Sequence, residues 1–123
     1  PNHETILRAF THFTFLLHEK NIEFLYHSPV NTLIQLNNGD YKFFLVDLNR
    51  MKFKALDFEA RMKNFSRLTP EREMVEIMAR EYASLIKVPS DKVFERMWFY
   101  TQDFQKKFQR KRELKRKLKG IKP

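Results

Sequence analysis

The sequence predicts an α+β chain, mainly α-helical, with one small β-hairpin sheet. Three observations carry this expectation. Apolar residues recur at helical spacing from His3 to Lys20. An Asn-Gly pair stands between two strand-like runs at residues 32–36 and 41–48. Two helix starts, Thr69-Pro70 and Ser90-Asp91, then open long segments with no strand signal.

The first helix places Ile6, Phe10, Phe13 and Leu17 on one face, and Leu7 and Leu16 widen that face. Asn2 reads as its N-cap, and Glu4 suits the positive helix end. His12 and His18 lie six apart and share no face, so they read as surface or partly buried histidines rather than a metal pair. Ile22 to Tyr26 is a short apolar lead-in. His27-Ser28-Pro29 follows as a loop, since Pro29 keeps Ser28 out of the helical region. In the return strand the apolar run Phe43, Phe44, Leu45, Val46 suggests burial on both faces near its end. Residues 49–56 read as an irregular basic loop with Arg50, Lys52 and Lys54. Asp57 caps a helix from Phe58 to about Arg67. The helix after Pro70 carries Met74, Ile77, Met78, Tyr82, Leu85 and Ile86, and Val88-Pro89 ends it. The last helix presents Val93, Phe94, Met97, Trp98, Thr101, Phe104 and Phe108.

At 123 residues with 42% apolar and 15% aromatic content, the chain can bury a core. It contains no cysteine, which excludes disulfides and thiolate metal sites and is compatible with a reducing cytoplasm. No run of about 18 apolar residues occurs, and the start lacks a basic-then-apolar signal pattern. The net charge of +9 belongs to one end. Residues 106–122 hold ten Lys or Arg against one acid, Glu113, so the first 105 residues are balanced. The expected division is therefore one domain over residues 1–105 and a basic tail over 106–123.

The central stretch, residues 21–51, carries the chemistry. Asn31 precedes the hairpin and Asp47 ends it, so hairpin closure makes them neighbours. An amide oxygen beside a carboxylate suits Mg²⁺, which takes few protein ligands and keeps phosphate or water in its other positions. On spacing alone, the simpler reading is that Asn31 is a turn residue and Asp47 a strand-end cap.

The order helix, loop ending in Asn, hairpin, Asp resembles the lower (C-terminal) lobe of protein-kinase-like enzymes. The segments FLYHSPVNTLI, FFLVDLNRMKF and RMKNFSRL resemble the lipopolysaccharide core kinase family, which phosphorylates Kdo or heptose of the inner core. The resemblance covers residues 5–86. It implies a phosphotransferase that uses ATP and Mg²⁺, acts on a Kdo-lipid acceptor, and works in the cytoplasm at the periphery of the inner membrane. It assigns Asn31 and Asp47 to the metal. Asn49 stands where the kinase Asp-Phe-Gly motif has Gly, and Arg50 becomes a candidate for contacting cofactor phosphate.

Two residues depart from the pattern. Tyr26 occupies the position of the catalytic Asp, and a phenol with a pKa near ~10 is a poor base at neutral pH. Val30 replaces a small residue, and its β-branch disfavours unusual backbone angles. The Gly-rich phosphate loop of the upper lobe is not found, since the only glycines are Gly39 and Gly120. The expected product is a truncated, degenerate kinase. The alternative is an inactive, pseudokinase-like binding module. For the basic tail, on residues alone, a solvated helix end takes precedence. Contact with an anionic membrane surface through residues 106–122 ranks ahead of nucleic acid, for which no recognition motif exists.

Overall fold

The computed structural model describes residues 3–25, 27, 32–37, 39–45 and 50–121. Among the described residues four helices and four short strands follow in the order α1 (His3–Glu19), β1 (Ile22–Phe24), β2 (Thr32–Asn37), β3 (Asp40–Leu45), β4 (Met51–Phe53), α2 (Phe58–Lys63), α3 (Arg72–Ile86) and α4 (Ser90–Ile121). The chain is α+β and mainly helical, with two antiparallel two-stranded ribbons, β1–β4 and β2–β3.

The pairing is nested. The β2–β3 hairpin is the inner ribbon, with Thr32 opposite Leu45 and Asn37 opposite Asp40. Its turn has Gly39 at φ +85°, the left-handed conformation that glycine adopts without a Cβ clash. The outer ribbon pairs Ile22 with Phe53 and Phe24 with Met51. Backbone bonds extend it at both ends, from Lys54 N to Asn21 O (2.8 Å) and from Leu25 N to Arg50 O (2.7 Å). Residues 51–53, expected within an irregular loop, form β4 instead. Three residues without alternation carry no strand signal, and the pairing partner lies far away in sequence.

The core lies between α1, α2, α3 and α4. Met62, Phe65, Val75, Met78, Ala79, Tyr82, Ala83, Val93 and Met97 form its buried cluster. The buried side of α1 differs from the expected one. Phe10, Thr11, Thr14 and His18 are inside, whereas Leu16 is exposed and Ile6, Phe13 and Leu17 are half-buried. Burial of the two threonines is made tolerable by hydroxyl bonds back to Leu7 O (2.7 Å) and Phe10 O (3.0 Å). His18, expected at or near the surface, is fully buried.

The hairpin is covered on one side only. Phe43 packs on Phe10 and Phe13 (centroids 5.5 and 5.4 Å), while Phe44 lies on the opposite, exposed face; Ile34, paired with Phe43, and Leu36 share the Phe43 face but stay largely exposed. At Phe43 and Phe44 burial alternates, as a two-stranded ribbon on a single helix requires, whereas the end of the strand, where two-sided burial is expected, lies outside the described side chains. Val46 and Asn2 lie outside the described residues.

Helix limits follow their caps. Asp57 accepts a bond from Ala60 N at 2.8 Å and starts α2 as expected. That helix ends at Lys63 rather than near Arg67, and the chain proceeds through tighter turns, Phe65 N to Met62 O and Ser66 N to Lys63 O. The start of α3 comes two residues after Pro70, with Thr69 Oγ1 accepting from Glu71 N at 3.1 Å. Lys87 terminates it in the left-handed region (φ 59°), with its N–H on Ala83 O. The last helix runs unbroken across positions 105 and 106 to Ile121, and residues 106–120 are exposed on every side. Among the described residues no helix is long and apolar enough to cross a membrane.

Candidate functional site

The ribbons are fastened to the helices by a directed chain of buried polar groups. Arg61 is donor-only and gives Nη1–H to Tyr82 Oη (3.3 Å). The Tyr82 hydroxyl then donates to His18 Nδ1 (2.8 Å). His18 donates from Nε2 to Asn64 Oδ1 (2.8 Å), and Asn64 Nδ2 donates to Phe24 O (3.2 Å). Burial keeps the imidazole neutral, and with Asn64 Oδ1 as acceptor its proton sits on Nε2, so Nδ1 accepts from Tyr82. Burial, reinforced by the Arg61 charge and opposed by the Asn64 bond, brings the His18 pKa down to about 4. Burial likewise pushes the Tyr82 phenol up to about 12. Arg61 is anchored in turn by Glu19 (2.7 Å) and Leu56 O (3.1 Å). This chain ties α1, α2 and α3 to β1.

His27 forms a second buried contact. Thr14 spends its proton on Phe10 O, so it accepts from His27 Nε2 at 3.1 Å. The ring stacks on Phe10 at 4.9 Å. Nδ1 is left as an acceptor with no donor among the described residues. Burial, with a smaller contribution from His18, lowers the His27 pKa to about 3.

Between the outer ribbon and α2 lies a cleft of about 480 Å³. Glu23, Lys52 and Lys54 line the ribbon side; Lys63, Asn64 and Arg67 line the other, and His27 also borders it. The lining is basic. Lys54 is paired with Glu23 (3.2 Å), and Arg67 lies over the Phe104 ring (4.7 Å). Lys52 and Lys63 have no ion-pair partner among the described residues. An anionic ligand carrying phosphate or carboxylate is the chemistry this wall accepts. The sequence places Lys52 and Lys54 in a basic loop and His27 in a separate loop, and gives none of these, nor Lys63 or Asn64, a site role. The signal was the Glu23/Lys52/Lys54 charge pattern, which becomes one face only when residues 22–24 and 51–53 pair.

Of the residues expected to form the site, Tyr26, Val30, Asn31, Asp47 and Asn49 lie outside the described residues. Arg50 is described: it is half-buried, and its carbonyl accepts from Leu25 N. Among the described residues no cluster of three or more His, Asp or Glu side chains is placed to hold a metal. No protein-family model, no curated protein and no solved structure matches the chain.

Proposed function

We propose that this chain is a kinase-type lower lobe acting as a binding module: it takes Mg²⁺ at Asn31 and Asp47 and an anionic, phosphate-bearing saccharide in the basic cleft, without transferring phosphate. The nested ribbons are the observation that carries the reading. The connection from Leu25 to Thr32 and the connection from Leu45 to Arg50 run between the same two ribbons, whose paired ends are Phe24 with Met51 and Thr32 with Leu45. Those connections carry Asn31 and Asp47. An amide oxygen and a carboxylate form a donor set of the kind Mg²⁺ accepts. When bound, the ion would neutralise charge on a phosphate group. The chain's own contribution would be the Asn31 amide oxygen and the Asp47 carboxylate, one from each connection.

The cleft supports the choice of ligand. Lys52 and Lys63 complement the carboxylates and phosphates of a Kdo-type inner-core saccharide. Tyr26 supports binding over transfer. In the kinase pattern an Asp at this position orients the acceptor hydroxyl, and a neutral phenol lacks the basicity of a carboxylate. ATP enters through the family resemblance alone, because the 123 residues contain no Gly-rich phosphate loop.

The test is thermal melting against MgCl₂, with ATP and a Kdo-lipid added separately. Ligand at about ten times its Kd stabilises by about 1.4 kcal/mol, which raises Tm by a few degrees. D47N and N31A should abolish the Mg²⁺ shift, and K52E/K63E should abolish the saccharide shift. Absence of both shifts in the native chain refutes the binding reading. Robust Mg-ATP-dependent phosphorylation of the Kdo-lipid by the chain alone refutes the loss of transfer.

A further inference from the structure

The distal half of α4 has no role in holding the fold together. Buried residues on this helix stop at Thr101, and from position 106 to 120 every side chain is exposed. The final stretch from 106 to 121 projects about 24 Å as a free rod, at 1.5 Å per residue. Along it, like charges stand four residues apart at Lys106/Arg110, Lys107/Lys111, Lys111/Lys115, Arg112/Arg116 and Lys115/Lys119. Such pairs destabilise an isolated helix. Two opposing pairs offset only part of this: Asp103–Lys107 at 3.0 Å at its root, and Glu113 four residues before Lys117. A rod of this kind gains helical stability when an anionic surface screens it.

The rod also has a side. At 100° per residue, Phe104, Phe108, Leu114 and Leu118 fall within an arc of about 120°. Phe108, Leu114 and Leu118 are 48%, 59% and 54% exposed, so the core does not use them. Lys107, Lys111 and Lys115 interleave with them, and Glu113, the one acid, lies on the opposite face. Long lysine stems can lie along apolar surface while their ammonium groups reach phosphates.

We infer that residues 106–121 form an interfacial helix that docks the chain on an anionic lipid surface at headgroup depth. Two features of one surface are matched at once. Phosphate headgroups answer the lysines and arginines, and the acyl boundary accepts Leu114 and Leu118. A nucleic-acid duplex offers phosphates to the same cations but no apolar phase for the leucines. The interleaved lysines and modest apolar content set a shallow position in the headgroup layer rather than deep insertion. The inference is independent of the metal and cleft reading, since it concerns no residue of that site.

Flotation of the full chain with phosphatidylcholine vesicles, with and without phosphatidylglycerol, tests it. Binding is expected on the anionic vesicles alone, falling at least about tenfold between about 50 and 500 mM salt. L114S/L118S keeps every charge and removes the apolar contribution, so vesicle affinity should drop about tenfold or more. Far-UV circular dichroism should gain helix on addition of the anionic vesicles. These exposed positions touch no core residue, so the melting temperature of the variant serves as a check that the fold is intact. Equal binding to neutral vesicles, unchanged binding of L114S/L118S, or tighter binding to a random-sequence DNA duplex than to anionic vesicles at equal salt would each overturn the inference.

Discussion

Tyr82→Phe isolates the polar chain that fastens α1 to α3. The substitution keeps the ring, and with it the edge contacts to Phe15 (5.7 Å) and Phe65 (5.5 Å). It removes one oxygen from a fully buried position. His18 Nδ1 then loses its donor, and the Nε2 proton is already committed to Asn64. An acceptor stranded in the interior costs about 1–3 kcal/mol. Arg61 loses a long bond (3.3 Å) but keeps Glu19 and Leu56 O, so its share is small. The expected total is about 2 kcal/mol, or about 8 °C in melting temperature. Urea denaturation at neutral pH measures it, with an unchanged m-value showing that the unfolded state is comparable. Tyr100→Phe is the matched control. Its hydroxyl meets Glu59 at 2.6 Å in a half-exposed position, and Glu59 retains the two-pronged bond to Arg96. That variant should stay within about 0.5 kcal/mol of the parent. If Tyr82→Phe is as mild as Tyr100→Phe, the buried chain is not what fixes the helices.

The remaining predictions concern titration and helix ends. His18 and His27 are held neutral in the fold, with pKa values of about 4 and about 3 against 6.5 for an ordinary histidine. The unfolded chain therefore binds protons first: stability is full above pH 6.5 and drains as pH falls, through about 4 for His18 and about 3 for His27. The His18 part alone amounts to about 3 kcal/mol. Urea midpoints should fall steadily between pH 7 and pH 5, and a flat profile over that range would contradict the burial of both rings. Asp57→Ala removes the cap on Ala60 N and should cost about 1 kcal/mol, read as a lower urea midpoint. Lys87→Gly relieves a left-handed residue at φ 59° and should raise stability by about 0.5–1 kcal/mol, read as a higher melting temperature.

Local rules account for what could be read before folding. The four helices announce themselves through periodicity and, for α2, through Asp57. Asn38-Gly39 marks the inner hairpin because few residues tolerate its turn angles. The site is a different matter. Asn31 and Asp47 stand out in sequence only as two oxygen donors flanking a hairpin. The basic cleft depends on Lys52, Lys54 and Lys63, which read as ordinary surface charge until the outer ribbon forms. Nothing in the triplets Ile22–Phe24 and Met51–Phe53 announces that they pair, since each is too short to show alternation.

The same distinction runs through α1. Its amphipathic spacing determined that a helix would form and that Phe10 would be inside. Its sequence could not determine that Thr14 and His18 would be inside as well while Leu16 faces solvent. Hydrophobicity ranks a side chain by its own transfer energy, and a polar group can be buried only when a partner satisfies it. For His18 the partners are Asn64 and Tyr82, which lie 46 and 64 residues away along the chain. Composition and charge by themselves set a helical chain with a basic end. Only tertiary structure decided that this end continues α4 as an exposed rod with one apolar side, because exposure is a property of what the rest of the chain leaves uncovered.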